Sequence, residues 1–263
     1  TFDDIIIPTD GTFEEHMHDV GMVLDKLIAA GFAVKCEKVY IGMTSVPYLG
    51  FNVGRDGTTP RAEKTKAILD LVYEDMRVGG STAAARYAGM IGFYHRFIPN
   101  LHSVLAPFHA CKSKDAPIAE IMMSLQMRTA FEFSKQCLAN VTALARPDYT
   151  KTFYIDVDAA SSSGAGAVLS QRDDENDPDS HRPLAFWSRR FGDEERRYGV
   201  RDQECLGLAD AVTNWRHIIL GARVIVRTDH RSLQWLLATL HKPGTRASGW
   251  VLKLQGYDME IEY

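Results

Sequence analysis

The sequence predicts an α/β fold, with a short α/β segment and a helical middle part ahead of a domain built on a mixed five-stranded sheet. Two observations predict it. Apolar residues recur at helical spacing in several segments before Pro147. After Pro147 the pattern changes to three strands, a helix, a strand, a helix and a late strand. A chain of 263 residues can bury the cores that this arrangement needs.

The composition is that of an ordinary soluble globular protein, with a formal net charge of −4. This charge argues against a strongly basic surface that would wrap nucleic acid, but it does not exclude nucleic acid, because local basic patches matter more than the total. A basic stretch surrounds the acidic residues described below, and its arginines are either a contact surface or ordinary solvated side chains. Its members are Arg182, Arg189, Arg190, Arg196, Arg197 and Arg201.

The four cysteines are scattered without CxxC spacing, which predicts neither a zinc site nor a disulfide framework. A reducing, intracellular compartment is therefore expected. No apolar run approaches the roughly 18 residues of a membrane span. The chain opens on Thr1 without an initiator Met or a basic leader, and we expect it to be part of something longer.

The N-terminal segment predicts a strand, a helix and further strands. Residues Phe2 to Pro8 have the pattern of a strand. Thr12 and Glu15 have the spacing of a capping box, and the helix that follows should close at Gly31. Residues Phe32 to Gly54 are strand-like.

The middle part predicts helices. Thr59 is a candidate cap, with Pro60 in the first turn of the helix that it begins. Further along we expect a break at 79–81, a loop at 112–119 and a helix from Leu125 to Leu144.

Pro147 and Asp148 form the expected hinge into the second domain. The main helix there should present an apolar face that includes Leu206 and Trp215, and Gly221 follows its end. Helices are also expected around Leu233 to Leu237 and at 245–257. The strands should lie at 152–158, 164–171, 183–189, Val224–Val226 and Met259–Tyr263.

Three acidic residues occupy three separate elements of this domain, in the order strand, helix, strand. They are Asp158, Glu204 and Asp229. Carboxylates that converge on one point repel each other, so the cluster needs a cation. Hard oxygen ligands suit Mg²⁺ or Mn²⁺, and two such ions can hydrolyse a phosphodiester.

Neighbouring residues offer alternatives for these roles. Asp156 lies two residues before Asp158 and would point the same way from the strand, so it is a rival for the same function. Asp202 fits the electrostatics of a helix start better than a metal site. His230 is interpreted as a helix-start residue rather than a ligand.

The flanking segments resemble a known family. GAGAVLSQ, PLAFWSRRF, NWRHIILG, TDHRSLQWLL and YDMEIEY are similar to the ribonuclease H domain of gypsy-type LTR retrotransposon polyproteins. FDDIIIPTDGTFEEHMHDVGMVLDKLIAAGFAVKCEKV and PYLGFNVGRDGT resemble the end of a reverse-transcriptase palm, and RAEKTKAI and GMIGFYHRFIPNL resemble the thumb. The resemblance covers essentially the whole chain in the family's own order.

The resemblance implies three parts: the C-terminal part of the palm at 1–58, a thumb and helical connector at 59–147, and a ribonuclease H-like domain at 148–263 that lacks the last helix. The implied parent activity is RNA-directed DNA synthesis with metal-dependent hydrolysis of RNA in RNA–DNA hybrids. The implied partners are an RNA–DNA hybrid or another nucleic-acid duplex and the rest of the polyprotein.

In this family Asp158, Glu204 and Asp229 would share two Mg²⁺ ions. Two departures stand out. Five residues, Ala159 to Ser163, separate Asp158 from the next glycine, where the family usually has about four. The family's fourth acidic residue would follow Tyr263. At most weak cleavage of hybrids by residues 1–263 alone is therefore expected.

The first half carries implied polymerase features. Asp3 and Asp4 match the paired aspartates of the palm, although this pair alone cannot polymerise. Tyr48, Leu49, Gly50 and Phe51 match the primer grip; Tyr48 and Phe51 either contact nucleic acid or pack in the core. Tyr94, His95 and Arg96 either follow the duplex backbone or serve structure alone.

A second function class stays open at this point. The retained acidic residues favour an enzyme. The incomplete catalytic sets instead suit a captured retroelement segment that acts as a non-catalytic structural subunit of a larger host assembly. Whether the chain is an enzyme is not decided by its sequence.

Overall fold

A computed structural model describes residues 4–113, 115–160, 164–177, 179–230, 233 and 246–263, with backbone alone at 159, 160 and 246. Asp3 of the expected polymerase pair lies outside this part of the chain, and Asp4 is exposed. Within the described ranges, no helix combines the length and the apolar character that crossing a membrane requires.

The N-terminal helix α1 (Phe13–Ala29) forms as its capping box predicts. The Glu15 amide donates to Thr12 Oγ1 at 3.2 Å, and the Thr12 amide donates to Glu15 Oε2 at 2.7 Å. Gly31 closes the helix with a φ of 79°. The strand expected at Phe2 to Pro8 is wrong for its described part, because residues 4–8 pair with no strand in the described chain.

A three-stranded antiparallel sheet follows, made of β1 (Ser45–Tyr48), β2 (Phe51–Gly54) and β3 (Gly57–Pro60). Leu49 and Gly50 join β1 to β2 with φ values of 47° and 89°. Positive φ at both central residues is what a tight two-residue hairpin requires. Residues 32–44 form no strand, so the strand-like interpretation of Phe32 to Gly54 holds for β1 and β2 only.

Thr59 and Pro60 lie in β3 and do not begin a helix, which corrects that expectation. The physical reason is a distant contact: the Thr58 amide donates to the Leu144 carbonyl at 2.8 Å, and the Leu144 amide donates back at 3.0 Å. The same contact draws Leu144 out of the helix that was expected to reach it, and that helix ends at Ala139.

The middle part is helical and has its own core, with Tyr87, Phe108 and Phe131 fully buried and in ring contact. At the break expected at 79–81, Gly79 separates two helices and Gly80, with a φ of 62°, begins the second. The expected loop at 112–119 ends at Pro117. The helices are α2 (Ala62–Leu69), α3 (Tyr73–Val78), α4 (Gly80–Gly92), α5 (Leu101–Val104), α6 (Ala106–Ala110), α7 (Ile118–Met123) and α8 (Leu125–Ala139).

The predicted mixed five-stranded sheet is confirmed, with its strands in the order β6-β5-β4-β7-β8. β4, β5 and β6 are antiparallel, whereas β4 with β7 and β7 with β8 are parallel. The strands are β4 (Phe153–Ala160), β5 (Gly164–Arg172), β6 (His181–Arg190), β7 (Arg223–Arg227) and β8 (Asp258–Glu262).

The main helix α9 (Val200–Asn214) packs on one face of this sheet, followed by α10 (Arg216–Ile219) and a C-terminal helix (Arg246–Leu254). Ile155 and Val157 of β4 face α9 and share a core with Leu208 and Val212. Because side chains alternate along a strand, Tyr154 and Asp156 emerge on the opposite face. Leu236 and Leu237 of the expected intervening helix lie outside the described residues.

An ion pair on that opposite face joins the two strands that carry the predicted catalytic aspartates. Arg227 Nε lies 2.7 Å from Asp156 Oδ1, and Arg227 Nη2 lies 2.7 Å from Oδ2. Asp156 and Arg227 are also the last registered pair between β4 and β7. The bridge therefore fixes the strands at the point where Asp158 and Asp229 follow.

His181 extends this cluster to β6. Its Nε2 lies 2.8 Å from Arg227 Nη1 and 3.3 Å from Arg172 Nε, and its Nδ1 lies 3.1 Å from Ser170 Oγ. Burial lowers the pKa of His181, and Arg227 and Arg172 lower it further, against an opposing effect of Asp156. The imidazole is held neutral as an acceptor for two guanidinium groups.

A double-mutant cycle on Asp156→Ala and Arg227→Ala should give a coupling energy of about 1 kcal/mol in urea unfolding, since the pair is bidentate but partly exposed. Arg223 and Glu260 are the matched control. They join β7 and β8 through one contact of 3.4 Å, with both side chains about 60% exposed, 62% and 61%. Their coupling should be close to zero. Equal coupling in the two cycles would contradict the special role of the β4–β7 bridge.

Stability should fall on acidification through His181. Its pKa is lower in the folded chain than in the unfolded chain, so the unfolded state binds the proton more readily. The contribution of His181 to the free energy of unfolding is fully present above the unfolded-state pKa of about 6.5 and is lost as the pH falls below that pKa. Urea midpoints for wild type and His181→Gln should therefore diverge at neutral pH and converge toward acid. Parallel curves would exclude His181 as the titrating group.

Candidate active site

Glu204 lies in α9 on the side that faces the sheet, and only 1% of its side chain is exposed. It sits among apolar neighbours of the same helix, including Cys205 and Leu208, both fully buried. An isolated carboxylate in such surroundings is costly unless a cation or a proton compensates it. A functional constraint is a good reason for a sequence to keep a glutamate there.

His230 provides a contact that the sequence analysis missed. Its Nε2 lies 3.1 Å from Glu204 Oε1 and 3.6 Å from Asp229 Oδ1. The His230 amide donates to Thr228 Oγ1 at 3.1 Å, which fixes the turn just after β7. The interpretation of His230 as a helix-start residue without a role in the site is therefore incomplete. One imidazole nitrogen therefore lies within 4 Å of two of the three predicted catalytic carboxylates.

Asp229 is 80% exposed, so it can meet a ligand from solvent while its neighbour reaches inward to Glu204. Asp158 is also exposed, and its backbone pairs with Gly166 of β5. Asp158 and Asp229 each lie two residues beyond the Asp156–Arg227 pair, at the same edge of the sheet. Parallel pairing thus brings the two strand ends together.

The structure brings Glu204 and Asp229 together through His230, and it sets Asp158 at the end of the adjacent strand. Within the described ranges, no three His, Cys, Asp or Glu residues are grouped closely enough to hold a metal ion. Residues 161–163 and 231–232, which follow the two strand ends, lie outside those ranges. The three-carboxylate metal site stays a prediction.

Asp156 and Asp202, the alternative site residues suggested by the sequence, have other interactions or positions in the structure. Both carboxylate oxygens of Asp156 bond Arg227, so this residue is engaged in the sheet and is a poor rival for Asp158. Asp202 lies in the first turn of α9, as expected of a helix-start residue.

The basic stretch divides into neutralised and unneutralised arginines. Arg189 bonds Glu195 at 2.8 Å and Asp210 at 2.5 Å, and these contacts raise its pKa and lower that of Glu195. Arg182 and Arg196 also contact carboxylates, of Asp173 and Asp193. Among the ion pairs of the described chain, none involves Arg190, Arg197 or Arg201.

Phe51 of the primer-grip segment packs against the helical part. Its ring stacks on Phe93 at 5.1 Å and on Phe97 at 5.3 Å between centroids. Of the two roles considered, core packing is the one that this geometry supports for Phe51. Leu49, at the hairpin tip, is 48% exposed.

The segment Tyr94, His95 and Arg96 also contains both a core residue and exposed residues. Tyr94 is only 3% exposed and belongs to the core, so it cannot follow a duplex backbone. His95 and Arg96 are exposed.

Comparisons with known proteins agree with this architecture. Residues 148–257 match the model of the RNase H-like domain found in reverse transcriptase. The Retrovirus-related Pol polyprotein from transposon 297 of Drosophila melanogaster is 30% identical over 99% of this chain. The Transposon Tf2-3 polyprotein of Schizosaccharomyces pombe is 28% identical over 99% of the chain. The chain spans 23% and 19% of the lengths of these two relatives.

Solved structures share the fold. A foamy viral protease-reverse transcriptase in complex with an RNA/DNA hybrid aligns with a TM-score of 0.75 and 17% identity, over 97% of this chain and 34% of that one. A second foamy viral protease-reverse transcriptase structure, in complex with double-stranded DNA, aligns with a TM-score of 0.74 and 17% identity, over 97% of this chain and 44% of that one. Residues 148–257 thus form an RNase H-like domain of the kind found in reverse transcriptase, and over nearly its whole length the chain is similar to retrotransposon polyproteins.

Proposed function

We propose that this chain takes part in RNA-directed DNA synthesis and that its C-terminal domain hydrolyses the RNA strand of RNA–DNA hybrids. The observation that carries the proposal is the buried Glu204 carboxylate, held 3.1 Å from His230 at the edge of the sheet where β4 and β7 end. The nucleic acids bound in the foamy viral structures support a duplex substrate.

Mg²⁺ or Mn²⁺ suits the donors at this edge. Asp158, Glu204 and Asp229 offer hard carboxylate oxygens, two of them exposed and one buried behind them. These three residues would hold the metal. When bound, a pair of such ions supplies an activated water and stabilises the leaving oxygen.

The protein's own contribution is orientation. The β4–β7 pairing sets Asp158 and Asp229 each two residues beyond its last registered pair, and α9 supplies the buried Glu204. The His230 imidazole lies next to both the Glu204 and the Asp229 carboxylates, at 3.1 and 3.6 Å. Such support reduces the reorganisation needed when substrate binds.

The proposed parts of the chain follow one another in sequence. We infer a palm segment at 1–58, a thumb and connector at 59–147 and a ribonuclease H-like domain at 148–263. Two hydrophobic cores support the boundary between 147 and 148, one formed by buried residues between 68 and 144 and the other by buried residues between 153 and 254. In the palm segment the Tyr48–Phe51 hairpin would hold the primer end, with Asp3 and Asp4 as part of the polymerase set.

The comparisons do not favour the alternative of a non-catalytic structural subunit. They relate the chain to polyproteins of transposons and to viral protease-reverse transcriptases.

Glu204→Gln should lower the rate of hybrid cleavage by about 100-fold or more, because several kcal/mol of transition-state stabilisation depend on a metal ligand. It should keep or raise the melting temperature, since a neutral amide replaces a buried carboxylate. The assay follows a labelled RNA–DNA hybrid in Mg²⁺ and in Mn²⁺.

The matched control is Asp202→Asn, two residues earlier in the first turn of the same helix. It should leave the cleavage rate within about twofold of wild type, since a helix-start charge contributes below about 1 kcal/mol. If Glu204→Gln cleaves as fast as Asp202→Asn while both are folded, Glu204 is not a ligand and the proposed function fails.

A further inference from the structure

A group of basic side chains lies where the helical part meets β6. It consists of His95, His102, His109, Lys112 and Arg190, and is called the basic seam below. The connector is fixed to the sheet here. The His102 amide donates to Ser188 Oγ of β6 at 3.1 Å. Both α5 and the 3₁₀ turn His95–Phe97 pack on β6.

The two inner histidines sit in uniformly basic surroundings. The His102 and His109 rings meet edge to face with centroids 5.4 Å apart. Burial lowers the pKa of both rings; Arg190 and Arg189 then lower that of His102, and Lys112 lowers that of His109. Each neighbour that acts on either ring is a cation or another imidazole. Neutral imidazoles in this setting present N–H donors rather than additional charge.

The exposed cations of the seam are not neutralised by the described chain. Arg189, next to the seam, is satisfied by Glu195 and Asp210. Arg190 and Lys112 are exposed, and neither belongs to an ion pair of the described residues. On a chain with a net charge of −4, this makes the seam a local positive feature.

The seam borders the row of the sheet that contains Asp158. Asp158 pairs with Gly166, and Gly166 pairs with Ser188 on its other side. The connector reaches over the same row: a Cβ at Gly166 would come within 1.9 Å of Asn100 Oδ1, so a larger residue there would require the Asn100 side chain to move. Arg190 lies two residues beyond Ser188 on β6 and therefore emerges on the same face.

We propose that the basic seam binds the sugar–phosphate backbone of a nucleic-acid duplex and guides it toward the edge of the sheet at Asp158. Arg190 and Lys112 provide the charge, and the histidines provide short-range N–H donors, which together are typical of phosphate contacts. The proposal deepens the proposed function and rests on it for the identity of the duplex as an RNA–DNA hybrid.

The test measures binding of a labelled RNA–DNA hybrid by fluorescence anisotropy in EDTA, where metal-dependent cleavage cannot interfere. Arg190→Gln and Lys112→Gln should each raise the Kd about 3- to 10-fold at moderate salt. Each should also reduce the slope of log Kd against log salt by about one, because one phosphate contact is lost. Arg190→Lys should retain the salt slope, because it keeps the charge.

Arg223→Gln is the matched control, since Arg223 is an exposed arginine at the start of β7 and pairs with Glu260. It should leave the Kd and the salt slope at wild-type values. Thermal unfolding of every variant verifies the fold. If the double variant Arg190→Gln/Lys112→Gln binds the hybrid with the wild-type Kd, the proposal that the basic seam binds the duplex is wrong. Competition by polyglutamate as effective as by unlabelled hybrid also overturns it, since the surface would then recognise an acidic polypeptide equally well.

Cleavage kinetics separate this proposal from the proposed function. In Mg²⁺ the seam variants should raise KM and leave kcat within about twofold, because the seam holds the duplex away from the reacting bond. If the chain binds hybrid through the basic seam but does not cleave it, the proposed hydrolysis is wrong and the proposed duplex binding is supported. If cleavage depends on Glu204 and KM does not depend on Arg190 or Lys112, the proposed hydrolysis is supported and the proposed duplex binding is wrong.

Discussion

The parallel pairing of β4 with β7 is the constraint on which the rest of the molecule depends. These strands are far apart in sequence, and their register ends at Asp156 and Arg227, whose side chains close a bidentate ion pair. Beyond that pair β7 ends, whereas β4 continues to Ala160 against β5. A shift of one residue in this register would turn the side chains to the other face, so the predicted convergence of Asp158 and Asp229 depends on it.

Helix α9 adds a buried acid to this edge, and the acid has an energetic cost. Glu204 is almost fully enclosed, and the His230 Nε2 lies 3.1 Å from its carboxylate. Replacing such a group by an apolar residue commonly stabilises a protein. Its cost in stability fits the proposed role of Glu204 as a metal ligand.

Much of the sheet could be predicted from the sequence because its signals are local. Gly164 begins β5, and Gly221 follows the end of α10. The apolar residues Val224 to Val226 identify a buried strand. The capping box at Thr12 and Glu15 is local in the same sense. Each of these features depends on residues a few positions apart.

Features that depend on distant partners could not be predicted. Thr59 and Pro60 have the pattern of a helix start, but Leu144 pairs with Thr58 and extends the strand. The sequence cannot distinguish Asp156 from Asp158 as the site residue, because the distinction depends on the ion pair that Asp156 forms with Arg227, 71 residues away.

His230 shows the same limit in the site. Nothing near it in sequence indicates that its ring reaches Glu204, since that contact joins the end of β7 to a different helix. The family resemblance indicated the carboxylates but not the imidazole between two of them.

The most direct test of the account is to locate bound Mn²⁺ by paramagnetic broadening of backbone amide NMR signals. The account predicts that Mn²⁺ broadens the amides of Asp158, Glu204 and Asp229 together, and that Glu204→Gln removes the effect at all three. Broadening confined to Asp229 and His230, with Asp158 unaffected at saturating Mn²⁺, would contradict a shared metal site at the joined ends of β4 and β7.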